Sequence, residues 1–175
     1  MKIALRRTQQ AGFTLMELIA GLAVVAVVVT GALALYLSAS SSELNTTLSR
    51  DLNAIQSATR QIFQGQGSYG TSATNLNDIL VAAKKVPTSV RIDASTTPDT
   101  LTHRGNGTIS VASTGSSFSI TLTNIDADLC IPMLSGATGW ASVQAGTATA
   151  RTALPVSPAN AQTDCATGTT LVFTN

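Results

Sequence analysis

The sequence predicts an α+β chain: one long N-terminal helix, membrane-spanning over its first half and amphipathic over its second, packed on an antiparallel sheet. Three observations carry this. The run Phe13 to Leu37 is apolar apart from Thr14, Thr30 and Tyr36 and holds one charge, Glu17. Leu44, Leu48, Leu52, Ile55, Ile62 and Phe63 then recur at helical steps, with the step at Thr59 unfilled. Further on, Ile109-Ser110-Val111 and Phe118-Ser119-Ile120-Thr121-Leu122 alternate apolar and polar residues, as half-buried strands do.

The first element begins after a short leader, Met1 to Gly12, which carries Lys2, Arg6 and Arg7 and no acid. A helix over Phe13–Leu37 would be roughly 37 Å long, enough to cross a hydrocarbon core of about 30 Å with some tilt. A secretory signal peptide has a shorter apolar stretch closed by a small-residue cleavage site, and no such site closes this run before Tyr36. An ordinary single-span anchor fits the length, with the basic leader held inside. It leaves Glu17 without a role, at a cost of roughly 2.5–3.5 kcal/mol near a bilayer centre. The simplest alternative for Glu17 is an acid that snorkels to the interface.

Gly12-Phe13-Thr14-Leu15-Met16-Glu17, after a basic leader and before an apolar helix, resembles the signature of type IV pilins, shared with the pseudopilins of type II secretion. The resemblance implies removal of residues 1–12 by a prepilin peptidase that cuts between Gly12 and Phe13, and N-methylation of Phe13. It implies an apolar helix over 13–37 that sits in the membrane or the fibre core, and a globular pilin head over 38–175. It also gives Glu17 an assembly role. A lone ammonium on Phe13 and a lone carboxylate on Glu17 are each costly in a dry fibre core. Paired between neighbouring subunits, they neutralise each other and set the axial step.

The leader holds three positive charges, so the chain after it carries seven Lys and Arg against nine acids, a balance of −2. That balance gives no reason to expect nucleic-acid binding. Cys130 and Cys165 lie in a segment that the basic leader assigns to the outside, where disulfides persist. Closing their 34-residue loop would contribute roughly 3–4 kcal/mol. The alternatives are two buried free thiols or ligands of a metal, although neither a CxxC motif nor paired histidines accompany them. In type IV pilins a C-terminal disulfide bounds the variable receptor-facing region, so the resemblance extends to this spacing.

In chain order, the long helix is expected from about Phe13 to about Gln64. Arg50, Asp51, Arg60 and Gln61 fall away from its apolar seam. Gly21 and Gly31 weaken its first half by about 1 kcal/mol each against Ala and allow close approach of other helices. Thr30-Gly31 is the nearest candidate for local melting in a fibre. Gly65-Gln66-Gly67-Ser68-Tyr69-Gly70 matches G-x-G-x-x-G, but a helix precedes it and none follows directly, so it reads as the helix stop and a loop. Tyr69 is expected to pack back on the long helix.

A second helix is expected from about Asn75 to Lys85, with Asn75 and Asp78 spaced as a capping box, Lys84 and Lys85 at its C-terminal dipole, and Pro87 barring extension. Val90–Ile92 is a short, weak strand. Asp126 or Asp128 caps a short helical turn holding Cys130, with Pro132 in its first turn. Gly136 to Ala161 is a low-complexity stretch around Trp140, and Leu171-Val172-Phe173 is the last strand. This order resembles the larger, type IVb-like pilin heads. The short leader and Phe13 are more like the type IVa group, and the subclass stays open.

No catalytic set stands out. His103, the single histidine, reads as a loop residue, and Asp126-x-Asp128 falls short of the six to eight oxygens Ca²⁺ takes. The expectation is a non-enzymatic chain with no cofactor and no metal: the major pilin of a type IV pilus, for adhesion, aggregation or conjugative contact. Its expected partners are copies of itself, the prepilin peptidase, the inner-membrane pilus assembly machinery and, as a monomer, the membrane. Precursor and unassembled subunit would lie in the inner membrane with the head in the periplasm, and the assembled form in a surface filament. The alternatives are a minor pilin or pseudopilin, and an anchored binding domain that does not assemble.

Overall fold

The computed structural model describes residues 14–175; Gly12 and Phe13 lie outside them. The chain forms two compact units, residues 1–40 and 41–175. Helix α1 runs Leu15–Ile62, close to the expected span. Its stretch in the first unit keeps every described side chain exposed, with Leu15 and Leu35 each 75% exposed. Mean hydropathy there reaches 2.7, long and apolar enough by length and composition to cross a membrane. Thr30 does not disturb the helix. Its hydroxyl donates back to the carbonyls of Ala26 and Val27, 3.0 Å each, a local bond that solvates the group without breaking the ladder.

In the second unit α1 contributes Leu48, Leu52, Ile55 and Ala58 to one core. Thr59, which left the apolar seam unfilled in sequence, is wholly buried, and its hydroxyl donates to the Ile55 carbonyl at 2.8 Å. Asp51 falls away from that apolar seam and is nevertheless buried, 3% exposed.

The loop Phe63–Leu76 follows. Gly65, Gly67 and Gly70 all take positive φ, the conformation that suits glycine in a loop. Tyr69 stacks between Phe63 and Phe118, with ring centroids at 5.3 and 4.9 Å, so it does pack beside the helix end.

Helix α2 is Asn77–Ala82, shorter than the expected Asn75–Lys85. The capping box does not form. Asn75 Oδ1 accepts from the Asn77 amide at 2.8 Å as a turn, while the Asp78 carboxylate accepts from the Asp99 amide at 2.5 Å instead of reaching back. Lys84 takes a φ of 54°, so the helix ends before the two lysines reach its dipole. Buried Asn77 ties α2 to the sheet: its Nδ2 donates to the Asp99 and Ile109 carbonyls and its Oδ1 accepts from the Val111 amide. Every polar atom of that side chain is therefore matched, as burial demands.

Six antiparallel strands form one sheet in the order β1-β2-β3-β4-β6-β5. They are β1 Arg91–Asp93, β2 Thr100–Thr102, β3 Thr108–Ser113, β4 Phe118–Leu122, β5 Ser142–Ala145 and β6 Leu171–Thr174. The expected hairpin is β3–β4, with Val111 opposite Ile120 and Ile109 opposite Leu122, all buried. Strands β2 and β5 were not anticipated. Strand β5 inserts Val143 and Ala145 into the core from within the low-complexity stretch, and Trp140 packs on Phe173 with centroids at 5.3 Å. The free edge of β5 is covered by Arg151, which exchanges both backbone hydrogen bonds with Val143, a protection that open edges need.

Helix α3 is Ala127–Ser135, longer than the single turn expected. Asp126 occupies its N-cap without a side-chain cap bond, and Pro132 sits inside the helix rather than in the first turn. Its missing N–H leaves the Asp128 carbonyl without a ladder bond. Helix α4, Pro158–Cys165, starts at Ser157, whose side chain accepts from the Asn160 amide at 3.4 Å.

Candidate functional site

Two regions concentrate the residues singled out in the sequence. The first is the start of α1. Thr14 precedes the helix and its carbonyl accepts from the amides of Glu17 and Leu18, both at 3.1 Å, so Thr14 opens the first turn. Glu17 stands in that first turn, where a carboxylate complements the positive end of the helix dipole. Glu17, Leu18, Gly21 and Leu22 line one open hollow, and a Cβ at Gly21 would meet nothing within 4 Å. The surface around the acid is thus small and apolar.

The second region is closed by the disulfide between Cys130 on α3 and Cys165 on α4, with a Cα–Cα distance of 5.9 Å. Both cysteines are buried. Within the loop they close, Arg151 forms a two-pronged pair with Asp164: Nε donates to Oδ2 and a terminal nitrogen to Oδ1, both at 2.9 Å. Asp164 is buried, and its bond and charge raise the pKa of Arg151. A bidentate guanidinium–carboxylate pair of this kind fixes orientation as well as charge. Neither residue stood out in the sequence, where a single Arg and a single Asp among Ala, Thr and Gly give no pairing signal.

His103 lies in the β2–β3 turn, as a loop residue should, yet only 1% of it is exposed. Burial lowers its pKa, while its bond to Thr123 and the charge of Asp51 act in the opposite sense. Asp126 and Asp128 are both exposed, and among the described residues no group of three or more His, Cys, Asp or Glu is placed to hold a metal ion.

Comparison with known proteins agrees with this anatomy. Residues 7–33 match the prokaryotic N-terminal methylation motif, and residues 42–175 match the family described as PilS N terminal. The toxin coregulated pilin of Vibrio cholerae is 35% identical over 86 residues, spanning 46% of this chain and 38% of that protein. The crystal structure of a type IV b pilin from Salmonella typhi is 23% identical with a TM-score of 0.54, covering 71% of this chain and 96% of that one. At that identity the likeness speaks for the fold. A methylation motif over the start of an exposed apolar helix, and a family match over the whole disulfide-closed sheet unit, place this chain among the type IV pilins, in the PilS N-terminal family.

Proposed function

We propose that the chain is the major structural subunit of a type IV pilus. On this reading residues 1–12 are removed, Phe13 becomes a methylated N-terminus, and residues 13–37 anchor the subunit in the inner membrane before forming the fibre core. Residues 38–175 form a head that is periplasmic before assembly and surface-exposed after it. The role is structural rather than catalytic. The observation that carries the reading is the continuous exposed apolar surface from Leu15 to Leu37, which water alone does not stabilise. Lipid covers it in the unassembled subunit and neighbouring helices cover it in the fibre. Glu17 supports the same reading, because an acid on such a surface needs a cationic partner once lipid headgroups and water are gone. The N-terminal ammonium of a neighbouring copy supplies one. The disulfide favours a pilin over a pseudopilin, as the resemblance implies.

Abundance tests this. Filaments sheared from cells and separated by gel should have this chain as their dominant protein. A few copies per filament, beside a more abundant subunit, would make it a minor pilin. Retention of all the processed protein in the membrane, with none in filaments, would make it an anchored domain that does not assemble.

A further inference from the structure

His103 is the chain's single histidine, and its buried ring is fixed at both nitrogens. Nδ1 accepts from the Gly105 amide at 3.1 Å, so it carries no proton. Nε2 lies 2.9 Å from the Thr123 carbonyl, an acceptor only, so Nε2 carries the proton and donates. The turn closes around this neutral ring: the His103 amide donates to Gly107 and the Asn106 amide to His103, both at 2.9 Å. Space is tight. A Cβ on Gly107 would come within 2.5 Å of Nε2, and one on Gly105 within 3.0 Å of Cε1.

The acid whose charge acts on this ring is Asp51 of α1, 3% exposed. Its Oδ1 accepts from the Ser89 hydroxyl, whereas the buried Oδ2 has no hydrogen-bond partner among the described residues. Such an orphan acceptor in a protein interior calls for a reason. The other charged groups nearby are Glu43 and Arg50 on the same stretch of α1 and Arg104 on the turn itself, which pairs with Glu43 at 3.0 Å. The Pro87–Ser89 and Thr123–Asn124 segments bring no titratable side chain.

We propose that His103 and Asp51 form an acid-sensitive latch on the β2–β3 turn. A proton on Nδ1 converts the acceptor of the Gly105 amide into a second donor, so that hydrogen bond breaks. The imidazolium then finds its counter-charge in the unpartnered oxygen of Asp51, and the turn that carries Arg104 is released. Burial favours the neutral ring and lowers its pKa from the ordinary 6.5. The latch therefore contributes its full stability above pH 6.5 and loses it as pH falls through the lowered folded value. The inference concerns local structure and holds whether or not the chain forms filaments.

Isotope-labelled full-length protein in detergent micelles, followed by NMR from pH 8 to 4.5, tests this directly. The expected result is an Nε2–H tautomer at neutral pH and a His103 midpoint below 6.5. At that same midpoint the protection of the Gly105 amide should fall at least tenfold, while the Val111 and Ile120 amides keep theirs. Asp51→Asn should move the midpoint lower still, and His103→Gln should abolish the pH response of Gly105. A midpoint at or above 6.5, unchanged Gly105 protection through the titration, or an unaltered response in His103→Gln would each overturn the proposal. The wild-type titration and Asp51→Asn decide it even if His103→Gln does not fold.

Discussion

Glu17→Val is expected to leave the protein processed and in the membrane while filaments all but vanish. Removing an intramembrane charge makes insertion more favourable by a kcal/mol or more. In the fibre proposed here, the ammonium of the neighbouring subunit's Phe13 would lose its partner. Breaking one side of a buried ion pair costs roughly 3–5 kcal/mol, or about two to four orders of magnitude in an association constant. Glu17→Asp keeps the charge with a shorter reach and should give an intermediate yield. Electron microscopy of sheared fractions, with immunoblots of the membranes, reads both effects. Normal filament numbers from Glu17→Val would mean that Glu17 is a tolerated interfacial acid with no pairing role.

The second large effect is expected from Cys130→Ser. The bridge ties α3 to α4 across 35 positions of chain and is buried at both ends. Its loss should lower stability by roughly 3–4 kcal/mol, equivalent to a fall in Tm on the order of 10 °C for a domain of this size. The Arg151–Asp164 pair and the β5–β6 ladder remain, so the head should still fold at low temperature. Calorimetry of variant and parent gives the difference, and alkylation of the denatured, unreduced parent should label neither cysteine. Equal Tm values would show that the bridge adds nothing to stability.

Elements with a strong period were legible in the residues. Leu44 to Ile62 announced α1, and the Val111 and Ile120 alternation announced the central hairpin. What sequence concealed lay where side chains are small or polar. Strand β2 offers one apolar residue, Leu101, between two threonines, too little for a period. Strand β5, Ser142–Ala145, hides among Ala, Thr and Gly because the sheet admits it by backbone pairing with β6, not by bulk. Helix α4 was not anticipated, because its body lacks an apolar stripe.

Tertiary competition explains the remaining differences. Asp78 was free to cap α2, yet the nearby Asp99 amide claimed it. Asp51 falls away from the apolar seam of α1, and nothing in helical spacing tells that Ser89 folds over it. The signature at residues 12–17, inside the matched methylation motif, was the clearest stretch in the chain, because the glycine, the acid at its spacing and the apolar run must coincide. The Arg151–Asp164 pair and the His103 setting arise from contacts distant in sequence or specific to one turn, and short motifs do not encode them.

One measurement addresses the central claim directly: the intact mass and N-terminal sequence of the protein in sheared surface filaments. The account predicts a chain that begins at Phe13, lacks residues 1–12, carries one added methyl group at its N-terminus, and is lighter by two hydrogens for the Cys130–Cys165 bridge. Surface-exported protein that still carries its leader would contradict it.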